Sequence, residues 1–258
     1  MSRFLSAGIA ILLALLLLGR AYRAQASLRN SSATVPVDIP SQPVRRNPHP
    51  PSGGLVERAG TPAMDLIARL EGRRALAFAG SSVYLDSLFS ETDSVLRRWA
   101  DPSNPLIVAI IPDSAGSDSA LTQVVRNALA AWENAGAGIR FVVTADSLGA
   151  QIQARSRPHF EGDRVGETHI EWDNSGSIHS ARITLAREDS AGRRLPAIIA
   201  LSAATHEIGH ALGLGHSGNP GDVMFPQTEV ATLSQRDRAS VELLYKLPLG
   251  SIRQSEKP

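Results

Sequence analysis

Cysteine is missing from this 258-residue chain. Its absence excludes a disulfide framework, thiolate-ligated zinc, a thiol nucleophile and lipid attachment through sulfur. An excess of charge is missing as well: 26 basic and 25 acidic side chains leave a net +1. That balance gives no reason to expect a nucleic-acid partner. Lysine is almost missing, with only Lys246 and Lys257 among the basic residues. Long apolar runs are missing everywhere except at the N-terminus. What remains is 43% hydrophobic residues, enough to bury the core of one good-sized domain with appendages, or of at most two small domains.

The charge is unevenly spread. Residues 1–62 carry seven Arg and two acids, so 19 basic and 23 acidic groups fall in 63–258. Arg3 precedes an apolar run from Phe4 to Leu18, too short for an ordinary bilayer span and suited to the core of a signal peptide. Ala24-Gln25-Ala26 offers a cleavage site, while Arg20 and Arg23 between core and site leave an uncleaved anchor as the other reading. Both readings of 1–26 place the remainder outside the cytoplasm, secreted, periplasmic or tethered, with membrane contact only through that segment. Residues 27–62 hold seven prolines with few large apolar groups and read as an extended linker.

Residues 63–103 read as a helical extension or pro-segment, with helices over Ala63–Leu70 and Ser87–Trp99. The main domain is expected over 104–248, followed by a tail, 249–258. Strands are expected at Leu106–Ile111, Ile139–Thr144, Gln151–Ala154, Thr168–Trp172 and Ser180–Ala186. Helices are expected at Leu121–Ala135, Ala197–Leu212 and Gln235–Tyr245. Ser234 and Asp237 supply a capping-box pattern for the last. The mixture indicates an α+β fold.

The chemistry-bearing stretch runs from Thr205 to Ser217. On a helix, His206 and His210 project from one face and present two imidazoles to a single metal ion. Glu207, one step round, lies beside that ion and is suited to handle the proton of a water. A catalytic zinc takes three protein ligands. Gly213 permits a left-handed turn that ends the helix and returns His216 as the third. A bare H-E-x-x-H arises by chance in about 1 in 100 chains of this composition; with the glycine and third histidine the figure falls to about 1 in 50,000.

The stretch resembles the signature of the metzincin zinc peptidases, H-E-x-x-H-x-x-G-x-x-H followed by a methionine turn. Ser217 after the third histidine, and Asp222-Val223-Met224-Phe225-Pro226 downstream, are similar to the matrixin branch, here of bacterial type. Ala128–Glu133 with Ile139–Phe141, and Leu233–Asp237 with Leu243–Tyr245, extend the likeness over 104–248. The resemblance implies a metzincin-type fold: a twisted, mixed five-stranded sheet with three helices and an active-site helix ending at Gly213. It implies one catalytic Zn²⁺ on His206, His210 and His216, a hydrophobic floor from Met224, and a substrate pocket flanked by Pro226. Glu207 then activates the zinc-bound water for peptide-bond hydrolysis, and the partner is a protein or peptide substrate. Substrate lies along an edge strand in this family, for which Ser180–Ala186 is the candidate, with Gly176–Ile178 nearby.

The chain also departs from the family. The pro-segment cysteine that caps zinc in animal matrixins is absent, so restraint by that route is impossible. His169, Asp173 and His179 lie where relatives carry a second zinc, without the usual spacing, so neither a second zinc nor calcium is assigned. Nothing requires more than a monomer. Two other readings stay open: a non-catalytic zinc-binding module, against which the intact Glu207 speaks, and a zinc amidase acting on cell-wall peptides.

Overall fold

A computed structural model describes residues 66–85, 95–111 and 119–251. The signal or anchor segment and the proline-rich linker lie outside the described residues. So do the first part of the expected Ser87–Trp99 helix and the last seven residues.

Helix α1 spans Leu66–Ala79 and is followed by a short 3-10 turn, Gly80–Ser82. Two-residue strands come next, β1 at Val95–Leu96 and β2 at Arg98–Trp99. The helix expected over this stretch therefore does not extend through 95–99. Leu96 and Trp99 are buried in the core, but they reach it from extended chain, which a reading of helical spacing could not anticipate. α1 itself runs nine residues past the expected Leu70.

The domain proper opens with a strand and a helix, continues through four strands, and ends with two helices and a short strand. β3 is Leu106–Ile111, α2 Ser119–Glu133, β4 Phe141–Thr144, β5 Ile152–Arg157, β6 Gly166–Trp172 and β7 Ser177–Ala186. Then come α3, Ala197–Ala211, α4, Gln235–Lys246, and a final short strand β8, Gly250–Ser251, antiparallel to β1. The main sheet has the order β4-β3-β5-β7, all parallel, with β6 added antiparallel beyond β7. This is the expected mixed five-stranded sheet. β2 adds a sixth, minor strand beside Ser177 and Ile178, and α1 joins the three expected helices.

One expectation is overturned by this order. Ser180–Ala186 belongs to β7, which is paired with β5 on one side and β6 on the other, so it offers no edge to a ligand. The edge is β6. Both strands alternate in the sequence, and alternation shows which face a residue takes but not how many neighbours its strand has.

α2 buries Val125, Ala128, Leu129 and Trp132, a stripe at spacings of three and four residues. It packs against α3, and α3 in turn lies on β6 and β7. α3 is apolar almost all round and has buried residues from Ser202 to Ala211. Aromatic side chains with a polar atom hold its carbonyls: Trp132 Nε1 donates to Thr205 O at 2.8 Å, Trp99 Nε1 to Ala211 O at 2.9 Å and Tyr245 Oη to Leu212 O at 3.1 Å. The last two carbonyls have no partner within the helix, so these bonds satisfy groups that burial would otherwise leave costly.

The helix ends as expected near Gly213, whose φ is +99°. Gly213 N donates to His210 O at 2.9 Å and Leu214 N to Gly209 O at 3.0 Å, the pair of reversed bonds of a Schellman motif. A Cβ at Gly213 would stand 2.1 Å from the Arg97 carbonyl oxygen. Gly213→Ala combines that clash with a disfavoured φ and should destabilise the fold by at least about 2 kcal/mol, lowering Tm by roughly 4–8 °C. A thermal melt that matched the parent chain would contradict this packing.

Candidate metal centre

Three imidazoles meet below the C-terminal end of α3. His206 and His210 come from successive turns, and His216 returns on the chain after Gly213. Their metal-binding atoms all lie within 4.8 Å of one another, and among the described residues this is the group of three placed to share an ion. Ring centroids stand 4.6, 4.8 and 5.4 Å apart.

The orientation of two rings is fixed from behind. His206 Nδ1 lies 2.8 Å from Val223 O, and His210 Nδ1 lies 2.8 Å from Leu214 O. A carbonyl oxygen can only accept, so both Nδ1 atoms carry the proton and both Nε2 atoms carry a lone pair. Those Nε2 atoms face each other at 3.0 Å. Two acceptors at that distance repel unless a cation lies between them, and two imidazoles on one tetrahedral zinc stand about 3.3 Å apart. Burial pushes the His210 imidazole down to about 3, with His206 and His216 adding to the effect. Burial also lowers His206, against the pull of the Val223 carbonyl. Both rings are thus neutral near pH 7, the state a metal ligand needs. The donor set and its orientation fit zinc.

Met224 is fully buried. A Cβ at Gly209, on the helix above, would meet Met224 Sδ at 2.3 Å and Trp132 Cζ2 at 2.9 Å. The glycine is what lets the methionine turn press against the helix between the two histidines. The turn closes with Phe225 N donating to Asp222 O at 3.2 Å, and Ser217 N donates to Met224 O at 2.8 Å, tying the residue after His216 to the same turn. Pro226 follows on the exposed side.

Two buried carboxylates hold the turn. Asp237 accepts Val223 N at 2.9 Å and Ser234 N at 2.8 Å, completing the expected capping box with Ser234 Oγ. Asp222 accepts Ser234 Oγ at 2.7 Å and Arg236 Nη1 at 2.8 Å, and also bonds Ser217 Oγ.

Glu207 is buried beside the histidines and against β6. Thr168 Oγ1 lies 2.6 Å from Glu207 Oε2 and 3.0 Å from Glu207 O. A Cβ at Gly166 would sit 2.5 Å from Glu207 Oε1, so the strand can approach the carboxylate only because residue 166 is glycine. Burial pushes the Glu207 carboxyl up to about 7, and the Thr168 hydroxyl works against that rise. A carboxyl with a value near neutrality is matched to accepting and returning a proton.

Gly166 and Thr168 were not singled out by the sequence. Thr168 sits in a recognisable strand, but its contact depends on which element covers that strand. Among the described residues, His169, Asp173 and His179 do not form a group that could share an ion. His169 is exposed, 3.1 Å from Glu167 Oε1, and His179 is exposed on β7. Asp173 accepts bonds from Ser175 and Ser177 in the β6–β7 turn.

The sequence model of the matrixin family matches residues 99–246. Metalloendoproteinase 1-MMP of Arabidopsis thaliana is 37% identical over 107 residues, 38% of this chain and 29% of that protein. Matrix metalloproteinase-2 of Drosophila melanogaster is 28% identical over 193 residues, 62% of this chain and 24% of that protein. Among solved structures, the medaka hatching-enzyme zinc-protease high choriolytic enzyme 1 aligns with a TM-score of 0.36 and 14% identity, over 58% of this chain and 94% of that one, a likeness too distant to bear on the assignment. The chain spans under a third of the length of the matched metalloproteinases. The family match covers more than half of the chain and contains the three histidines, Glu207 and the Met224 turn: the chain belongs to the matrixin family.

Proposed function

We propose that the protein is a zinc metalloendopeptidase, exported by way of residues 1–26, that cuts extended protein or peptide substrates with one zinc on His206, His210 and His216. The observation that carries this reading is the convergence of three imidazoles, two of them with their acceptor nitrogens turned inward, beside the buried carboxylate of Glu207. Zinc, when bound, supplies Lewis-acid chemistry, acidifying water and polarising a carbonyl.

The chain's own residues supply the rest. The outer edge of β6 pairs with no strand among the described residues, so its backbone can take an extended substrate as a further strand. Glu207 accepts a proton from the attacking water at one carboxylate oxygen and returns it to the leaving amine. Thr168 Oγ1 donates to Oε2 and fixes the carboxylate's rotation. Burial at Glu207 keeps bulk water from competing for that proton. Pro226 and the chain beyond it flank the pocket for the substrate side chain after the cut, and the monomer is sufficient.

Glu207→Ala should retain zinc at the parent stoichiometry by metal analysis, while casein cleavage falls by about 10²–10⁴-fold. A zinc chelator should abolish cleavage by the parent chain, and added zinc should restore it. Cleavage that survives both treatments would sink the reading; a zinc-loaded but inert parent would instead favour a binding module.

Thr168→Val removes the hydroxyl at nearly constant volume. It should lower kcat by roughly ten- to a hundredfold with little change in KM or zinc content, and Thr168→Ser should recover most of the loss. Equal kcat for the valine and parent enzymes would show that Glu207 needs no such support.

A further inference from the structure

The segment ahead of the family match reaches the metal centre through a chain of buried hydrogen bonds. Tyr84, five residues after the end of α1, is buried, and Leu85 beside it is fully so. Tyr84 Oη donates to Asp237 Oδ1 at 2.8 Å. Asp237 Oδ2 accepts Val223 N at 2.9 Å. The carbonyl of that same Val223 accepts His206 Nδ1 at 2.8 Å. A second contact pins the tyrosine, whose backbone N donates to Ser240 Oγ at 3.1 Å on α4.

We propose that Tyr84 is a positioning residue for the zinc ligand His206, acting through Asp237 and the Val223 peptide, so that the segment N-terminal to the family domain is a working part of the metal site. The inference rests on the zinc reading above.

The physical argument concerns what a buried carboxylate requires. Asp237 is completely shielded from water and draws its donors from three places: Tyr84, the methionine turn and the start of α4. Removing the phenol leaves one oxygen of a buried anion short of a donor, and the carboxylate can regain one only by turning. Its turning loosens the hold on Val223 N, and the Val223 carbonyl is what sets the His206 ring. Groups behind a metal ligand govern its orientation and basicity. Burial and the Asp237 carboxylate raise the Tyr84 phenol far above its ordinary value, so it stays a donor throughout the working range. Arg236 reinforces the arrangement, its guanidinium 5.6 Å from the Tyr84 ring centroid while it pairs with Asp222.

The role differs from that of a removable pro-segment. A segment that restrained the site would cover the histidines, whereas Tyr84 approaches them from behind, through the turn that supports them.

The test uses full-length protein and Zn²⁺ itself, with affinity measured by competition against a chromogenic chelator. Tyr84→Phe keeps the ring and removes the hydroxyl. Its zinc Kd should rise about three- to tenfold, below the 10–100-fold typical of a group bonded directly to a ligand. Leu76→Ala, a cavity in the same segment on the buried face of α1, should lower Tm and leave the zinc Kd at the parent value. Ser240→Ala, which frees the Tyr84 backbone, should give a smaller rise and serves if the phenylalanine variant does not fold. Hydrogen exchange at the Val223 amide should quicken in Tyr84→Phe. An unchanged zinc Kd in Tyr84→Phe and Ser240→Ala, whatever happens to Tm, overturns the proposal and leaves Tyr84 a packing residue. A parent chain that binds no zinc overturns the functional reading itself, a distinct outcome.

Discussion

Two backbone carbonyls, Val223 O and Leu214 O, determine what the centre can do. Each takes the Nδ1 proton of a histidine, and by doing so turns the other nitrogen of that ring into an inward-facing acceptor. Imidazole has two tautomers and a freely turning ring in water; here one tautomer and one orientation survive. The cost is two lone pairs facing each other at 3.0 Å, an arrangement that makes sense only around a cation. Both carbonyls come from chain that follows the helix: Leu214 lies just past the Schellman turn and Val223 in the methionine turn. The placement of these two turns is therefore the condition on which the metal centre depends.

The surrounding structure can be understood as the means of holding those turns. Leu214 is placed by the left-handed Gly213, and the helix end before it is sealed by Trp99 and Tyr245. Val223 is placed by Asp237, a residue that also caps α4. Gly209 lets Met224 lie close under α3, and Trp132 closes the same space from α2. Each contact uses a residue whose size or hydrogen-bonding capacity suits one job. The chain has three tryptophans in all, and two of them end on carbonyls of α3.

Much of this was legible in the sequence because local rules govern it. The i,i+4 spacing put His206 and His210 on one face, glycine predicted the helix end, and Ser234 with Asp237 predicted a capped helix that the structure contains. The alternating and apolar runs located five strands. What was not legible depends on neighbours distant in sequence. Strand order is not written in the alternation of β6 and β7, so the edge was assigned to the wrong one. Leu96 and Trp99 fit helical spacing well enough, yet reach the core from short strands that pair with β8 and β7. Thr168 and Gly166 became functional candidates only once α3 was seen to lie across β6. Asp237 read correctly as a cap, but its second duty, holding Val223, spans 14 residues and a turn.

The same distances explain why residues before the family match cannot be treated as an attachment. Arg98 Nε and Nη2 donate to Leu247 O at 3.2 and 3.1 Å, next to Trp99, the first matched residue, which reaches Ala211. Tyr84 reaches Asp237 and Ser240. These bonds join the early chain to α4 and to the end of α3, the helix that carries His206 and His210, more than a hundred residues later. With no cysteine available, neither a disulfide nor a thiolate can secure such a junction. Buried hydrogen bonds to carbonyls and to one carboxylate do so instead, and they carry strain or loosening at the early segment directly to the turns that orient the imidazoles. Burial strengthens each of these bonds and makes the loss of any one partner costly, which ties the geometry of the metal centre to chain well outside the signature that announces it.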